Sequence, residues 1–177
     1  MIYTRKGDKG ISEDFNGERF SKDDFVFEVL GTLDEVNSLI GVCKSQSKDF
    51  GDEIINLKLK DLLEEIQKDL FIIQSRIAGV DRELKEERIQ WIEENIDFVE
   101  NQIPKLKKFI IAGGSDLAVT LNYIRSIVRK LERRIVTLDK IKKIDSGILA
   151  YLNRLSDLFF VLGRFVNFIK GCEEKYF

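Results

Sequence analysis

Five runs of apolar residues, each stepping by three and four, constrain this chain more than any other feature. They are Val26, Val29, Leu33, Val36, Ile40 and Cys43; Leu59, Leu63, Ile66, Leu70, Ile73 and Ile77; Ile89, Ile92, Ile96, Val99 and Ile103; Leu117, Leu121, Ile124, Val128, Leu131, Ile135 and Leu138; and Ile148, Leu152, Leu155, Phe159, Leu162, Val166 and Ile169. Such spacing places one apolar stripe on each of five helices, and its alternation of threes and fours is the seam of left-handed bundle packing. Pro104, the only proline, stops the third run because it offers no backbone donor and clashes with the preceding turn. Ser21 is predicted to cap the first helix, with Asp23 and Asp24 favouring its N-terminal dipole; Ser115 is predicted to cap the fourth, and Asp145 or Ser146 the fifth. Most connections are short, so neighbouring helices should run antiparallel. The expected fold is all-α: an up-and-down five-helix bundle over residues 21–177, behind an irregular segment over 1–20, in a single domain spanning 1–177.

Composition removes several classes of function. Histidine is absent, which excludes a Ser-His-Asp triad, a histidine-bound metal and a histidine base, and leaves a di-iron centre without its Glu-x-x-His pairs. An enzyme of this composition should do chemistry that needs little proton transfer. Cys43 and Cys172 are too few for a disulfide framework and match no zinc spacing. A net charge of −2 gives no reason to expect nucleic acid or an anionic membrane as partner. The start lacks the apolar core of a signal peptide, and no apolar stretch approaches the ~18 residues of a membrane span, so the expected location is the cytoplasm.

Four polar constellations interrupt the apolar pattern. Thr4-Arg5-Lys6-Gly7-Asp8-Lys9-Gly10-Ile11-Ser12 sets two glycines three apart among hydroxyls and lysines, with Lys22 close behind. Its backbone amides could approach an anion, although it is no Walker A loop, and a frayed polar terminus would read the same way. Arg125, Arg129 and Arg133 recur every four residues along the fourth helix, with Glu132 and Arg134 beside them. Guanidinium forks at that spacing suit a polyphosphate, and they equally suit a solvated basic face. Asp34 and Glu35 in the first helix, with Asn153 and Asp157 in the fifth, lie beside core positions. They are either part of a shared site or a structural ion-pair set, and the arginine ridge is the obvious counter-charge. Phe109-Ile110-Ile111-Ala112-Gly113-Gly114-Ser115 leads into the arginine helix, as an anion-binding helix start or simply a tight turn.

Together these runs resemble one family. Ile2-Tyr3-Thr4, Gly7-Asp8-Lys9-Gly10, Lys22-Asp23-Asp24, Gly31-Thr32-Leu33-Asp34-Glu35-Val36-Asn37-Ser38, Phe109 to Gly114, the arginine helix and Tyr151-Leu152-Asn153-Arg154-Leu155-Ser156-Asp157 follow, in order, the motifs of the PduO-type ATP:cob(I)alamin adenosyltransferases. Residues 47–105 share only the helical pattern. The resemblance implies a homotrimer of five-helix bundles with an active site at each subunit interface. It implies that Thr4, Arg5, Lys6, Gly7, Ser12, Glu13, Lys22, Arg129, Lys130, Leu131, Glu132, Arg133 and Asn153 hold ATP, and that Asp34 and Arg125 form an intersubunit salt bridge near the corrin. Phe109 would sit against the corrin and keep the lower cobalt ligand away. The expected catalytic set is therefore Arg129, Asp34, Arg125 and Phe109, the last three also binding cobalamin. Mg²⁺ would travel with the ATP phosphates, with no protein ligand assigned. A reductase and an adenosylcobalamin-dependent enzyme are the expected further partners. This chain departs from the family at Ala112, where proline is usual; at Asn122, where histidine is frequent; at Lys130, where the family has a second arginine; and at Glu13-Asp14, where small or hydroxyl residues are usual.

The implied chemistry suits the composition. Co(I) of reduced cobalamin attacks the 5′ carbon of ATP and triphosphate leaves. Co(I) is itself a strong nucleophile, so no side chain must act as a base, and the protein has only to align the reactants and neutralise the leaving group. Two other readings share the sequence. One is a catalytically inactive ATP- or cobalamin-binding bundle acting as sensor or escort. The other is a purely structural helical oligomer.

Overall fold

The computed structural model describes residues 3–47 and 53–177; Ile2, which opens the first family-like motif, lies outside the described residues. Five helices carry the fold: α1 (Phe25–Gln46), α2 (Glu53–Ile77), α3 (Glu87–Glu100), α4 (Asp116–Asp139) and α5 (Ser146–Ile169). Nearly every residue of the five stripes is buried. Ile169, at the last turn of α5, is an exception at 42% exposed, and Ile89 and Ile96 pack at the edge of the core.

The helices alternate in direction along the chain, but they do not pack in chain order. Lys44 of α1 meets Glu64 of α2, while Asn37 meets Gln67, so these two run antiparallel. Glu28 of α1 meets Arg134 of α4 and Glu35 meets Lys130, again antiparallel. Ser115 bonds Asn167, while Glu132 bonds Asn153, which sets α4 antiparallel to α5. Glu93 of α3 pairs with Arg154 of α5 and runs parallel to it. α4 thus lies between α1 and α5, and α3 lies against α5 rather than α4. The segment over 101–115 is long enough to carry the chain past α5. α5 is the most enclosed helix, with thirteen buried residues that include Ser156, Arg164 and Asn167.

The first helix begins later than Ser21. Residues Ile11–Glu13 (β1) and Arg19–Ser21 (β2) form an antiparallel hairpin in which Ile11 stands opposite Ser21. Asp24 caps α1 instead: its backbone is extended, and its carboxylate accepts from Val26 N at 3.0 Å. Ser21 is committed to the ladder, so it cannot be the cap. Ser115 occupies the cap position of α4 without bonding its first turn through the side chain, and Asp145 caps α5 by accepting from Gly147 N. The hairpin leans on the end of α2, where Phe15 N donates to Ala78 O and Asn16 Nδ2 donates to Gly79 O. A second ribbon, unanticipated by periodicity, pairs Ile110–Ile111 (β3) with Lys175–Tyr176 (β4).

Candidate active site

The arginine ridge lies on the outer surface of α4, flanked by α1 and α5. Arg129 and Arg133 are exposed and Arg125 is half-buried, with its guanidinium 5.3 Å from the Phe160 ring centre. Lys130 Nζ donates to Glu35 Oε2 at 2.8 Å. Arg134 binds Glu28 at 2.9 Å and also the Thr32 hydroxyl. Glu35 and Glu28, rather than Asp34, therefore neutralise cations of α4. Asp34, which the sequence sets beside a core position, is exposed, and among the described residues it forms no ion pair within the chain. The reason is angular: core positions Leu33 and Val36 turn inward, and position 34 then falls about 100° away on the helix circumference.

On the α5 side, Asn153 is fixed at both ends. Its Nδ2 donates to Glu132 Oε1 at 3.0 Å, and its Oδ1 accepts from Arg154 NH1 at 2.7 Å. Arg154 in turn donates to Glu93 at 2.9 Å. Glu132 and Asn153, 21 residues apart in sequence, thus form one polar edge beside Arg129 and Arg133. Leu131 belongs to the hydrophobic core and is 0% exposed. Its side chain faces away from this edge, so it is unavailable to a ligand that the neighbouring residues hold.

The N-terminal loop is compact and open to solvent. Arg5 adopts a left-handed backbone, φ 60°, with its guanidinium 5.6 Å from the Tyr3 ring, and Lys6 N lies 3.4 Å from Thr4 Oγ1. Lys22 N donates to Gly10 O at 2.8 Å. Its ammonium lies so close over Gly7 that a Cβ there would stand 2.8 Å from Nζ. Ser12 and Glu13 belong to β1, and Glu13 pairs with Arg19 at 3.4 Å. Among the described residues no hydrogen bond or ion pair joins Thr4–Ser12 to the α4 ridge.

Phe109 is 85% exposed. It precedes β3, and its carbonyl accepts from Phe177 N at 2.9 Å. An aromatic ring this bare is not a core residue of the chain. Among the described residues no cluster of three or more His, Cys, Asp or Glu side chains is placed to hold a metal, and no helix is long and apolar enough to cross a membrane.

The profile of the cobalamin adenosyltransferase family matches residues 2–166. The chain belongs to that family. It is 40% identical over 178 residues to the corrinoid adenosyltransferase of Bacillus subtilis, covering 98% of this chain and 90% of that protein. It is 35% identical to the human corrinoid adenosyltransferase MMAB, covering 99% of this chain and 72% of the relative. Among solved structures it superposes with a TM-score of 0.91 and 33% identity on a variant PduO-type ATP:corrinoid adenosyltransferase from Lactobacillus reuteri complexed with cobalamin and ATP. That match covers 100% of this chain and 96% of the other. Another variant of the same enzyme, complexed with ATP, gives 0.89 at 34% identity, covering 99% of both chains.

Several side chains that shape this adenosyltransferase surface had no role assigned from the sequence, although Thr32 and Arg154 stand inside the family-like runs. Glu28, Thr32 and Arg154 organise the ridge from neighbouring helices, and only the packing order brings them there. Two buried polar residues of α5, Arg164 and Asn167, were visible as interruptions of an apolar helix, yet nothing in the spacing tells what they touch.

Proposed function

We propose that this chain transfers the 5′-deoxyadenosyl group of ATP to the cobalt of reduced cobalamin, giving adenosylcobalamin and triphosphate. Its full-length likeness to corrinoid adenosyltransferases supports this reading. The structural observation that carries it is the polar edge where the exposed Arg129 and Arg133 stand beside the half-buried Glu132 and Asn153, with the Asn153 amide held between Glu132 and Arg154.

In the reaction the Co(I) electron pair forms the bond to C5′ while the C5′–O bond breaks and its electrons leave with triphosphate. No proton has to move in that step. The protein's task is alignment and charge neutralisation, both of which are greatest when the groups are preorganised. Arg129 and Arg133 face the leaving triphosphate with planar forks, and Lys130, already paired with Glu35, adds a point charge. Asn153, pinned by Glu132 and Arg154, presents its amide edge to the nucleoside. Thr4, Arg5, Lys6, Gly7, Ser12 and Lys22 form a second wall of amides and cations for the phosphates. Mg²⁺ fits this donor set only as a phosphate-borne ion: it would keep phosphate and water ligands, with Glu132 the nearest carboxylate on the ridge. Phe109, bare on its ribbon, offers an apolar surface to the corrin that excludes water and the lower ligand from cobalt.

The family resemblance supports a complete site formed between subunits of a homotrimer, and it accords with the lack of any hydrogen bond or ion pair between the N-terminal loop and the ridge among the described residues of one chain. Asp34 and Arg125 then pair across the contact. The decisive experiment is an anaerobic assay with ATP, Mg²⁺ and chemically reduced cobalamin. Appearance of the cobalt–carbon absorption spectrum with stoichiometric triphosphate is the expected result. ATP binding without triphosphate release would make the protein an escort or sensor and overturn the enzymatic reading.

A further inference from the structure

Two polar side chains of α5, Arg164 and Asn167, are 5% and 7% exposed and take no part in the ATP edge. They stand three residues apart, so they share one face of the helix. Arg164 NH2 donates to Pro104 O at 2.8 Å, and its Nε donates to Glu174 Oε1 at 2.7 Å. Glu174 also accepts from the Tyr176 hydroxyl at 3.0 Å. One guanidinium therefore holds the roots of both strands of the β3–β4 ribbon: Pro104 leads to β3, and Glu174 leads directly into β4.

Asn167 holds the other end of the same segment. Its Nδ2 donates to Gly113 O at 2.9 Å, and its Oδ1 accepts from Ser115 N at 3.0 Å. Gly114 between them has φ +108°, and a Cβ there would collide with the Asn167 amide. The stretch over 104–115 is thus pinned by α5 at both ends, and Phe109 lies in its middle with little packing of its own.

We infer that Arg164 and Asn167 are positioning residues for Phe109: they clamp the 104–115 segment so that an exposed ring is held in one place against the corrin. The inference rests on the proposed function for the identity of the ligand, and on geometry alone for the clamp. A charged residue at 5% exposure could be an ordinary core ion pair, but such a pair would not gather the two strand roots of a single ribbon. An exposed ring with few contacts has no intrinsic reason to stay in place, so its precision must come from the backbone that carries it.

The test compares Arg164→Lys, Asn167→Ala and Phe109→Ala, singly and in pairs, in the full chain. Lysine keeps the charge but cannot reach Pro104 and Glu174 together. The expected result for each clamp variant is a rise of about tenfold in the KM for reduced cobalamin, with the KM for ATP within about twofold of the unaltered chain. Co(I) is made by reducing Co(II), which is four-coordinate when the lower ligand is kept away, and the signal of that Co(II) form should weaken in parallel. In the Phe109→Ala background, Arg164→Lys should add almost nothing, because its effect passes through that ring. Equal losses for ATP and cobalamin, additive effects with Phe109→Ala, or unchanged kinetics would each overturn the proposal. Asn167→Ala leaves the ion pair intact, so it carries the same expectation if Arg164→Lys does not fold; failure of both to fold would make them core residues and overturn it. Amide exchange at Ile111 and Phe177 needs no ligand and should accelerate in both clamp variants. Undiminished protection there overturns the clamp itself. Faster exchange, combined with no adenosyl transfer by the unaltered chain, would leave the clamp standing and remove the proposed function.

Discussion

Arg129 and Phe109 separate the two halves of the mechanism at the scale of single residues. Arg129 is exposed on α4, and none of the hydrogen bonds or ion pairs described above uses its side chain, so its removal should leave folding almost untouched. Arg129→Ala should lose ~2–4 kcal/mol of transition-state stabilisation through the missing phosphate fork, while stability changes by no more than ~0.5 kcal/mol. Steady-state kinetics and a melting curve on the same preparation check both halves of that expectation; normal turnover would mean the ridge is only a solvated face. Phe109→Ala should behave in the complementary way. Its ring is 85% exposed, so truncation forfeits little burial and the melting temperature should hold. ATP affinity should hold as well, whereas the four-coordinate Co(II) spectrum should fade as water or the lower ligand returns. A core phenylalanine would instead cost ~3–5 kcal/mol.

At the scale of elements, the joints between helices are polar where the stripes alone would predict oil. Asp69 of α2 is 3% exposed and is gripped by Arg88, whose Nε donates to Oδ1 at 2.8 Å and whose NH2 donates to Oδ2 at 2.7 Å. The Tyr151 hydroxyl of α5 also donates to Oδ2 at 2.7 Å. Arg88→Met would strand a buried carboxylate and should cost ~3–5 kcal/mol, whereas Tyr151→Phe removes one of several donors and should cost ~1.5–3 kcal/mol. Urea titration of the two variants would rank them, and the reverse order would show that the tyrosine is the main anchor. Burial, and secondarily the adjacent Asp69 carboxylate, pushes the Tyr151 hydroxyl well above its ordinary pKa. Burial also pushes the Cys43 thiol from 9.0 up to about 12. Both groups stay protonated in the folded chain while the unfolded chain ionises. The unfolded state therefore binds fewer protons above pH 9, and stability must fall as pH rises through that window. It should be complete below pH 9 and decline steadily towards pH 12, as thermal melts across that range would report. The same burial should leave Cys43 unreactive to thiol reagents under conditions that label the half-buried Cys172.

At the scale of the whole molecule, Asp34 is exposed without an ion pair, and no hydrogen bond or ion pair ties the N-terminal loop to the α4 ridge among the described residues of one chain. Light scattering should give three chains per particle at micromolar concentration. A fully active monomer would remove the intersubunit site. Asp34→Asn should weaken the assembly or cobalamin binding while leaving helical content unchanged. The reversal Asp34→Arg with Arg125→Asp should recover part of the loss, because exchanging the two charges of a direct pair preserves their attraction.

Sequence alone determined the helices and their inward faces, because a stripe repeated at the helical period has one stable way to bury itself. It also carried the family motifs and their order, and with them most of the candidate site: Arg129, Glu132, Arg133, Asn153, Lys22 and Phe109 were all legible. Tertiary structure decided the rest. It moved the first cap from Ser21 to Asp24, since hairpin pairing claimed the serine. It turned Asp34 outward and gave Lys130 to Glu35. It placed α4 beside α1 and α5, which brought Glu132 to Asn153, and it buried Leu131 away from its charged neighbours. It built the Phe109 ribbon from strands more than sixty residues apart, held by Arg164 and Asn167. A local period reports which side of a helix is apolar, but not which helix will lie against that side. Packing order and long-range hydrogen bonds depend on contacts between segments remote in sequence, and those contacts exist only once the chain has closed on itself.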